Sequence, residues 1–179
     1  MKKLIRYRIP VSIVFPATHD RKGERTSFIC KILHAINFNE AGNGLYRICS
    51  NECGQACYRR LLEPKLHTIR ASELWVKRFE KINKGEAVLE LYYWSGKPYK
   101  SKSVTICQLG KDDGIGIQSL KLFRINTSLI TTIEGSSEKT TTIELAKNDG
   151  LSLNDFKVWF RKYDLSKPLF IIHFTKFRY

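Results

Sequence analysis

Six apolar side chains at alternate positions open the chain. Ile5, Tyr7, Ile9, Val11, Ile13 and Phe15 fall on one face of residues 4–15, with Arg6, Arg8, Pro10 and Ser12 opposite. A helix would scatter these residues around its circumference, whereas an extended strand collects them on one side. Further strand-like runs follow at 86–94, 102–108, 115–123, 126–134, 139–145 and 168–177. Turn formers separate them: Ser95-Gly96-Lys97-Pro98, Gly135-Ser136-Ser137 and Asn148-Asp149-Gly150. The Thr- and Ile-rich runs 126–134 and 139–145 are expected to pair as a hairpin around Gly135. Helical spacing is confined to short stretches. Thr26 or Ser27 caps a helix carrying Phe28, Ile32, Leu33 and Ile36, and Ser72 caps one carrying Leu74, Trp75, Phe79 and Ile82. Ser152 and Asp155 form a capping-box-like pair ahead of Leu153, Phe156, Trp159, Phe160 and Tyr163. Trp75, Phe156, Trp159 and Phe160 are assigned to the core. Strands dominate and the helices are short and separated, which predicts an α+β fold: a small β-barrel with short flanking helices.

The 179 residues suit a single domain, 1–179, with an insertion at about 37–62 where the strand and helix patterns lapse. Apolar runs are short and broken by charge, so no membrane span is expected. Arg6 and Arg8 interrupt the apolar start, which argues against a signal peptide. Five cysteines, an odd number, then read as reduced thiols in a cytoplasmic protein. Cys49, Cys53 and Cys57 recur every four residues and read as buried thiols on one helix face rather than a metal set. No metal or cofactor is expected.

Charge narrows the partners. The formal net charge is +14, and the excess is blocked: 8 basic and 2 acidic residues in 1–31, 11 and 5 in 58–102, 6 and 1 in 157–179. Basic blocks that converge in space attract polyanions. Trp94 to Lys102 interleaves Trp94 and Tyr99 with Lys97, Lys100 and Lys102 at an expected hairpin tip. Aromatic faces stack bases while ammonium groups meet phosphates. His19, Arg21 and Lys22 lead to Thr26 at a helix start, a combination able to hold a phosphate. No Walker pattern, dinucleotide-binding glycine motif or nucleophile elbow occurs.

Three motifs in order carry a family likeness: Gly23-Glu24-x-Thr26-x-Phe28 before a helix, Lys65-Leu-His-Thr-Ile-Arg70, and Trp94-Ser-Gly-Lys-Pro-Tyr-Lys-Ser-Lys102. Asn148-Asp149-Gly150-Leu151-Ser152 then precedes an aromatic helix and a closing Phe/Ile strand. Over most of the chain, 37–62 aside, this resembles the ASCH family of the PUA-like superfamily, in a branch found in bacteria and their phages. The resemblance implies a β-barrel with a cleft for RNA, a nucleotide or a modified nucleobase. One branch of that family removes the acyl group from N4-acetylcytidine. By position its catalytic roles fall on Lys65, Thr68 and Asp149, the last standing where that branch has Glu. Arg70 is a candidate cationic neighbour that lowers the Lys65 pKa, or an anion-binding group itself. His67, inside the motif, joins Arg70, Trp94, Lys97, Tyr99, Arg21, Lys22 and Thr26 as a candidate ligand contact. Strict alternation along 65–70 puts Lys65 and Thr68 on opposite faces, so catalysis needs a bend between them. Binding of RNA or a nucleoside-type ligand, amidohydrolysis, and a protein-interaction role with a vestigial cleft all stay open on the sequence.

Overall fold

The computed structural model describes residues 4–36, 63–126, 128–136 and 140–179. The expected insertion at 37–62, with Cys49, Cys53 and Cys57, lies outside the described residues. Seven strands are described: β1 (Ile5–Pro10), β2 (His67–Arg70), β3 (Ala87–Trp94), β4 (Ser103–Leu109), β5 (Gly116–Ile125), β6 (Ser128–Ile133) and β7 (Leu169–His173). The four α-helices are α1 (Phe28–Ala35), α2 (Leu74–Asn83), α3 (Thr142–Asn148) and α4 (Leu153–Trp159). The fold is α+β. The strands form a three-stranded sheet, β1-β3-β4, and a four-stranded sheet, β2-β7-β5-β6.

In the first sheet β1 runs parallel to β3, with Ile9 beside Leu91 and Pro10 beside Tyr92. β3 and β4 make an antiparallel hairpin whose register slips between Leu91 and Tyr92. All ladders of the second sheet are antiparallel. One continuous core takes side chains from both sheets and the helices, including Leu89 and Leu91, Leu120 and Ile171, and Phe79 and Phe156. Phe156 and Phe160, one helical turn apart, hold their rings 4.7 Å apart within it.

Three expectations need correction. The alternation at 4–15 makes a strand only to Pro10; beyond it, Val14 forms a single bridge to Arg25. The partner of β6 is β5 rather than 139–145, with Ile125 paired to Ser128. Residues 142–148 are instead helical, because Thr141 caps them by accepting the Glu144 N–H at 3.2 Å. The run of threonines gave β-propensity, but a threonine followed three residues later by Glu is also a helix start. Cys30 is disulfide-bonded rather than reduced. Cys107 is a free thiol whose burial pushes its pKa up to about 12.

The Ser152 cap forms as expected. Its hydroxyl oxygen accepts the Asp155 N–H at 3.1 Å, and the hydroxyl donates to the Asp155 carboxylate at 2.9 Å. Replacing Ser152 with Ala should therefore lower stability by about 1 kcal/mol. A urea titration checks this through a lower midpoint at an unchanged slope.

Candidate functional site

The turn Asn148-Asp149-Gly150 ends α3 in a Schellman arrangement. The Leu151 N–H donates to the Ala146 carbonyl at 3.0 Å and the Gly150 N–H to the Lys147 carbonyl at 2.9 Å. Gly150 supplies the required left-handed residue, at φ 76°. It also supplies space: a Cβ there would stand 3.1 Å from the Lys65 Cβ and 3.3 Å from the Lys31 Cδ. This helix end presents Asp149 to Lys65. The Lys65 Nζ donates to an Asp149 carboxylate oxygen at 2.6 Å and to the Asp149 backbone carbonyl. It also lies 4.3 Å from the centre of the Phe28 ring. Both partners are buried.

Lys65 precedes β2 rather than belonging to it. Its N–H donates to the Lys31 carbonyl, and the next N–H, of Leu66, donates to the Asn148 carbonyl. The backbone is thereby held against the middle of α1 and the end of α3 before it enters the ladder at His67. Alternation starts only there, so Lys65 and Thr68 line one cleft. That cleft also contains Arg70, Asp149, Phe28, Trp159, Phe160 and residues 9–12 at the end of β1. Its cavity volume is about 30 Å³, enough for about two waters.

The charges are coupled. Burial pushes the Lys65 ammonium pKa down; Asp149 pulls it partly back, while Arg70 and Lys31 add to the push. Arg70 and Lys31 are thus the cations that add to the effect of burial on Lys65. Burial alone would raise the Asp149 pKa, but the Lys65 charge and the contact with His67 outweigh it and hold the carboxyl below its ordinary range. The Arg70 guanidinium donates to the carbonyls of Ile69 and Pro10, at 3.1 and 3.0 Å.

His67 faces away from the cleft lining. Its Nδ1 is 3.6 Å from an Asp149 carboxylate oxygen, too long for a hydrogen bond. Its Nε2 meets the Tyr179 hydroxyl at 2.7 Å, which also accepts from the Asn148 amide at 3.1 Å. His67 therefore buttresses Asp149 from behind. His173 pairs with it across the ladder, and burial drives the His173 pKa down to about 2.

The loop group is not brought into the cleft. Arg21 is held by Asp155 at 2.9 Å and Glu24 at 2.7 Å, Lys22 is exposed, and the Thr26 hydroxyl donates to the Ser12 carbonyl at 2.7 Å. Neither Thr26 nor Ser27 caps α1 in the ordinary way: Ser27, at φ 57°, makes no side-chain cap. Thr26 instead accepts the Phe28 N–H at 3.3 Å and so braces the cleft wall. Trp94, Lys97 and Tyr99 lie on the β3–β4 hairpin, outside the cleft lining.

Sequence reasoning missed the walls of the cleft. Trp159, expected in the core, is half-buried beside Phe28, with the ring centres 5.8 Å apart. A signal was present. Phe156 and Phe160 share a helix face, and Trp159, one residue before Phe160, is turned about 100° from it. Lys31 gave no signal at all. It enters because its Nζ donates to the Gly150 carbonyl at 2.6 Å.

No family model, curated protein or solved structure matches this chain. Among the described residues no helix is long and apolar enough to cross a membrane, and no cluster of His, Cys, Asp or Glu is arranged to hold a metal ion.

The ion pair predicts a pH dependence. The folded-state pKa of Asp149 lies below its unfolded value, so its stabilisation is complete above the ordinary carboxylate pKa. It is lost as pH falls through the lower, folded-state value. Asp149→Asn should cost about 3 kcal/mol at neutral pH, because it leaves a buried ammonium unpaired. Urea unfolding of both proteins at successively lower pH should show that gap narrowing as the parent carboxyl takes up its proton. A gap that stays constant would mean that the pair contributes nothing to the acid side of the stability curve.

Proposed function

We propose that the cleft binds a nucleobase, as RNA, a nucleotide or a modified nucleoside. The observation that carries this reading is a buried Lys65–Asp149 pair set between aromatic walls. A planar heteroaromatic ligand needs two kinds of contact. Phe28 and Trp159 offer ring surface for its faces. Lys65, Asp149, Thr68 and Arg70 offer donors and acceptors for its edge. A mostly apolar concavity with a few convergent polar groups is the usual form of a small-molecule site. The motif order that resembles the ASCH family supports the same ligand class. The proposed architecture is the small PUA-like barrel, a reading supported by the single core that both sheets face.

Cytidine and N4-acetylcytidine are the first probes. Trp159 borders the cleft, so binding should change tryptophan fluorescence. Lys65→Met should weaken binding by tenfold or more, since an edge contact is lost and Asp149 is left unpaired. A neutral nucleoside should bind with little dependence on salt; the monophosphate should bind more tightly, with a salt-sensitive increment. No fluorescence change and no retention of either nucleoside in equilibrium dialysis would refute the reading.

A second reading is favoured by one specific observation, the presence of Lys65 and Thr68 in the same cleft despite their spacing. In this reading the protein hydrolyses the amide of an N4-acyl cytidine. Neutral Lys65 takes the Thr68 hydroxyl proton as the oxygen attacks the acyl carbonyl. The tetrahedral adduct collapses, the C–N bond breaks, and the Lys65 proton passes to the departing cytidine amine. Water, again deprotonated by Lys65, then hydrolyses the acyl-threonine ester. Asp149 orients the ammonium. Burial helps by lowering the Lys65 pKa, while Asp149 opposes the loss of the proton. The rate should rise with pH and level off below the ordinary lysine pKa. Chromatography of cytidine released from N4-acetylcytidine tests this, with Thr68→Ala and Lys65→Ala beside the parent. Release equal in all three proteins would remove the catalytic reading and leave binding.

A further inference from the structure

The β3–β4 hairpin carries a row of aromatic rings away from the cleft. Tyr92 pairs with Pro10, and Val11 donates its N–H to the Tyr92 carbonyl at 2.7 Å; Pro10 and Val11 both line the cleft. From Tyr92 the row continues to Trp94, with ring centres 5.6 Å apart, and then to Tyr99, at 5.3 Å. Cations flank it. The Arg8 guanidinium sits 4.0 Å over the Tyr92 ring, and Lys97, Lys100 and Lys102 are all exposed at the tip. The Glu90 carboxylate nearby is only 1% exposed and is covered by Arg6, Arg8 and Gln108, so it offsets little of this field.

Tyr99 is the unusual member. The Lys100 N–H donates to the Lys97 carbonyl at 3.1 Å, closing a turn with Pro98 second and Tyr99 third. The Tyr99 φ is 62°. This is the type II pattern, in which the third residue is ordinarily Gly or Asn because other side chains are strained there. Tyr99 is nonetheless 85% exposed, so burial does not compensate for the strain. The turn is also braced from the opposite limb, where the Ser101 hydroxyl donates to the Lys97 carbonyl and accepts the Gly96 N–H, each at 3.0 Å. An exposed aromatic ring held in a disfavoured backbone conformation points to a surface contact as its role.

We infer that the hairpin is a stacking platform for a single-stranded oligonucleotide, whose nucleotides flank the base held in the cleft. The inference rests on the nucleobase reading above and sharpens it: the ligand is a base within a strand, not a free nucleoside. Trp94 and Tyr99 stack the flanking bases, while Lys97, Lys100 and Lys102 meet the phosphates. Stacking on aromatic side chains tolerates any base, so the platform adds affinity without reading sequence.

The test compares cytidine with pentacytidylate RNA by equilibrium dialysis, using the parent, Tyr99→Gly and Trp94→Ala. Pentacytidylate should bind the parent at least tenfold more tightly than cytidine. Either substitution should weaken pentacytidylate about tenfold and leave cytidine unchanged. Tyr99→Gly is the sharper variant because Gly is favoured at that turn position, so its melting temperature should equal or exceed that of the parent. Pentacytidylate binding that Tyr99→Gly does not alter overturns the platform; if cytidine still binds, the cleft reading stands. Pentacytidylate binding that depends on Tyr99 without any cytidine binding supports the platform and removes the cleft reading. Binding of neither probe overturns both. Pentadeoxycytidylate run in parallel supports a stacking platform if it binds comparably, because stacking alone does not distinguish the two sugars.

Discussion

A lysine ammonium and an aspartate carboxylate buried together organise this structure. Removing two charges from water is expensive, and their attraction compensates only with good geometry and further hydrogen bonds. Lys65 and Asp149 meet that demand in a particular way. The carboxylate comes from a helix end fixed by the Schellman turn, and the ammonium also donates to the backbone carbonyl of its own partner. A ring face of Phe28 covers the cation on another side. Three elements distant in sequence, α1, the entry to β2 and the end of α3, are thereby tied at one point. A hydrophobic pair of similar volume often holds such elements as well.

Other buried carboxylates follow the same rule. Glu90 has Arg6, Arg8 and Gln108, and Asp155 has Arg21 and the Ser152 hydroxyl. The interior thus satisfies its acids with cations drawn from the basic N-terminal block and the Lys65 motif. Basic residues in the hairpin, Lys97, Lys100 and Lys102, have exposed side chains. The net charge of +14 therefore acts outward from regions that include the hairpin beside the cleft.

Much of this was legible in the chain because it rests on local rules. Alternation located β1; strand-like runs between turn formers located β3, β4 and β5; the Ser152 cap located α4; and Asn148-Asp149-Gly150 announced a turn with an acid in it. The errors share a physical cause. Residues 142–148 contain Thr and Ile that favour a strand, but the Thr141 cap decided for helix. Strict alternation predicted that Lys65 and Thr68 diverge. Long-range hydrogen bonds from the Lys65 and Leu66 amides to α1 and to the end of α3 overrule it, and no local pattern encodes those. The cleft walls were hidden for a related reason: a half-buried Trp159 and a core Phe160 have the same hydrophobic signature in a sequence. Arg21 and Thr26, read as phosphate contacts, have partners distant in sequence, Asp155 and the Ser12 carbonyl, which no local pattern shows.

The small interior of the cleft has a kinetic consequence. A space for about two waters is smaller than a planar ring, so a nucleobase of the kind proposed above would enter only as a wall of the cleft moved. On that proposal Trp159, Arg70 or residues 10–12, which line the cleft, would have to yield, and only molecules in which they had done so would capture the ligand. The affinity measured for the proposed ligand would then be the intrinsic affinity multiplied by that fraction. Substitutions that loosen the Trp159 wall would speed capture and release together, even where they touch no ligand atom.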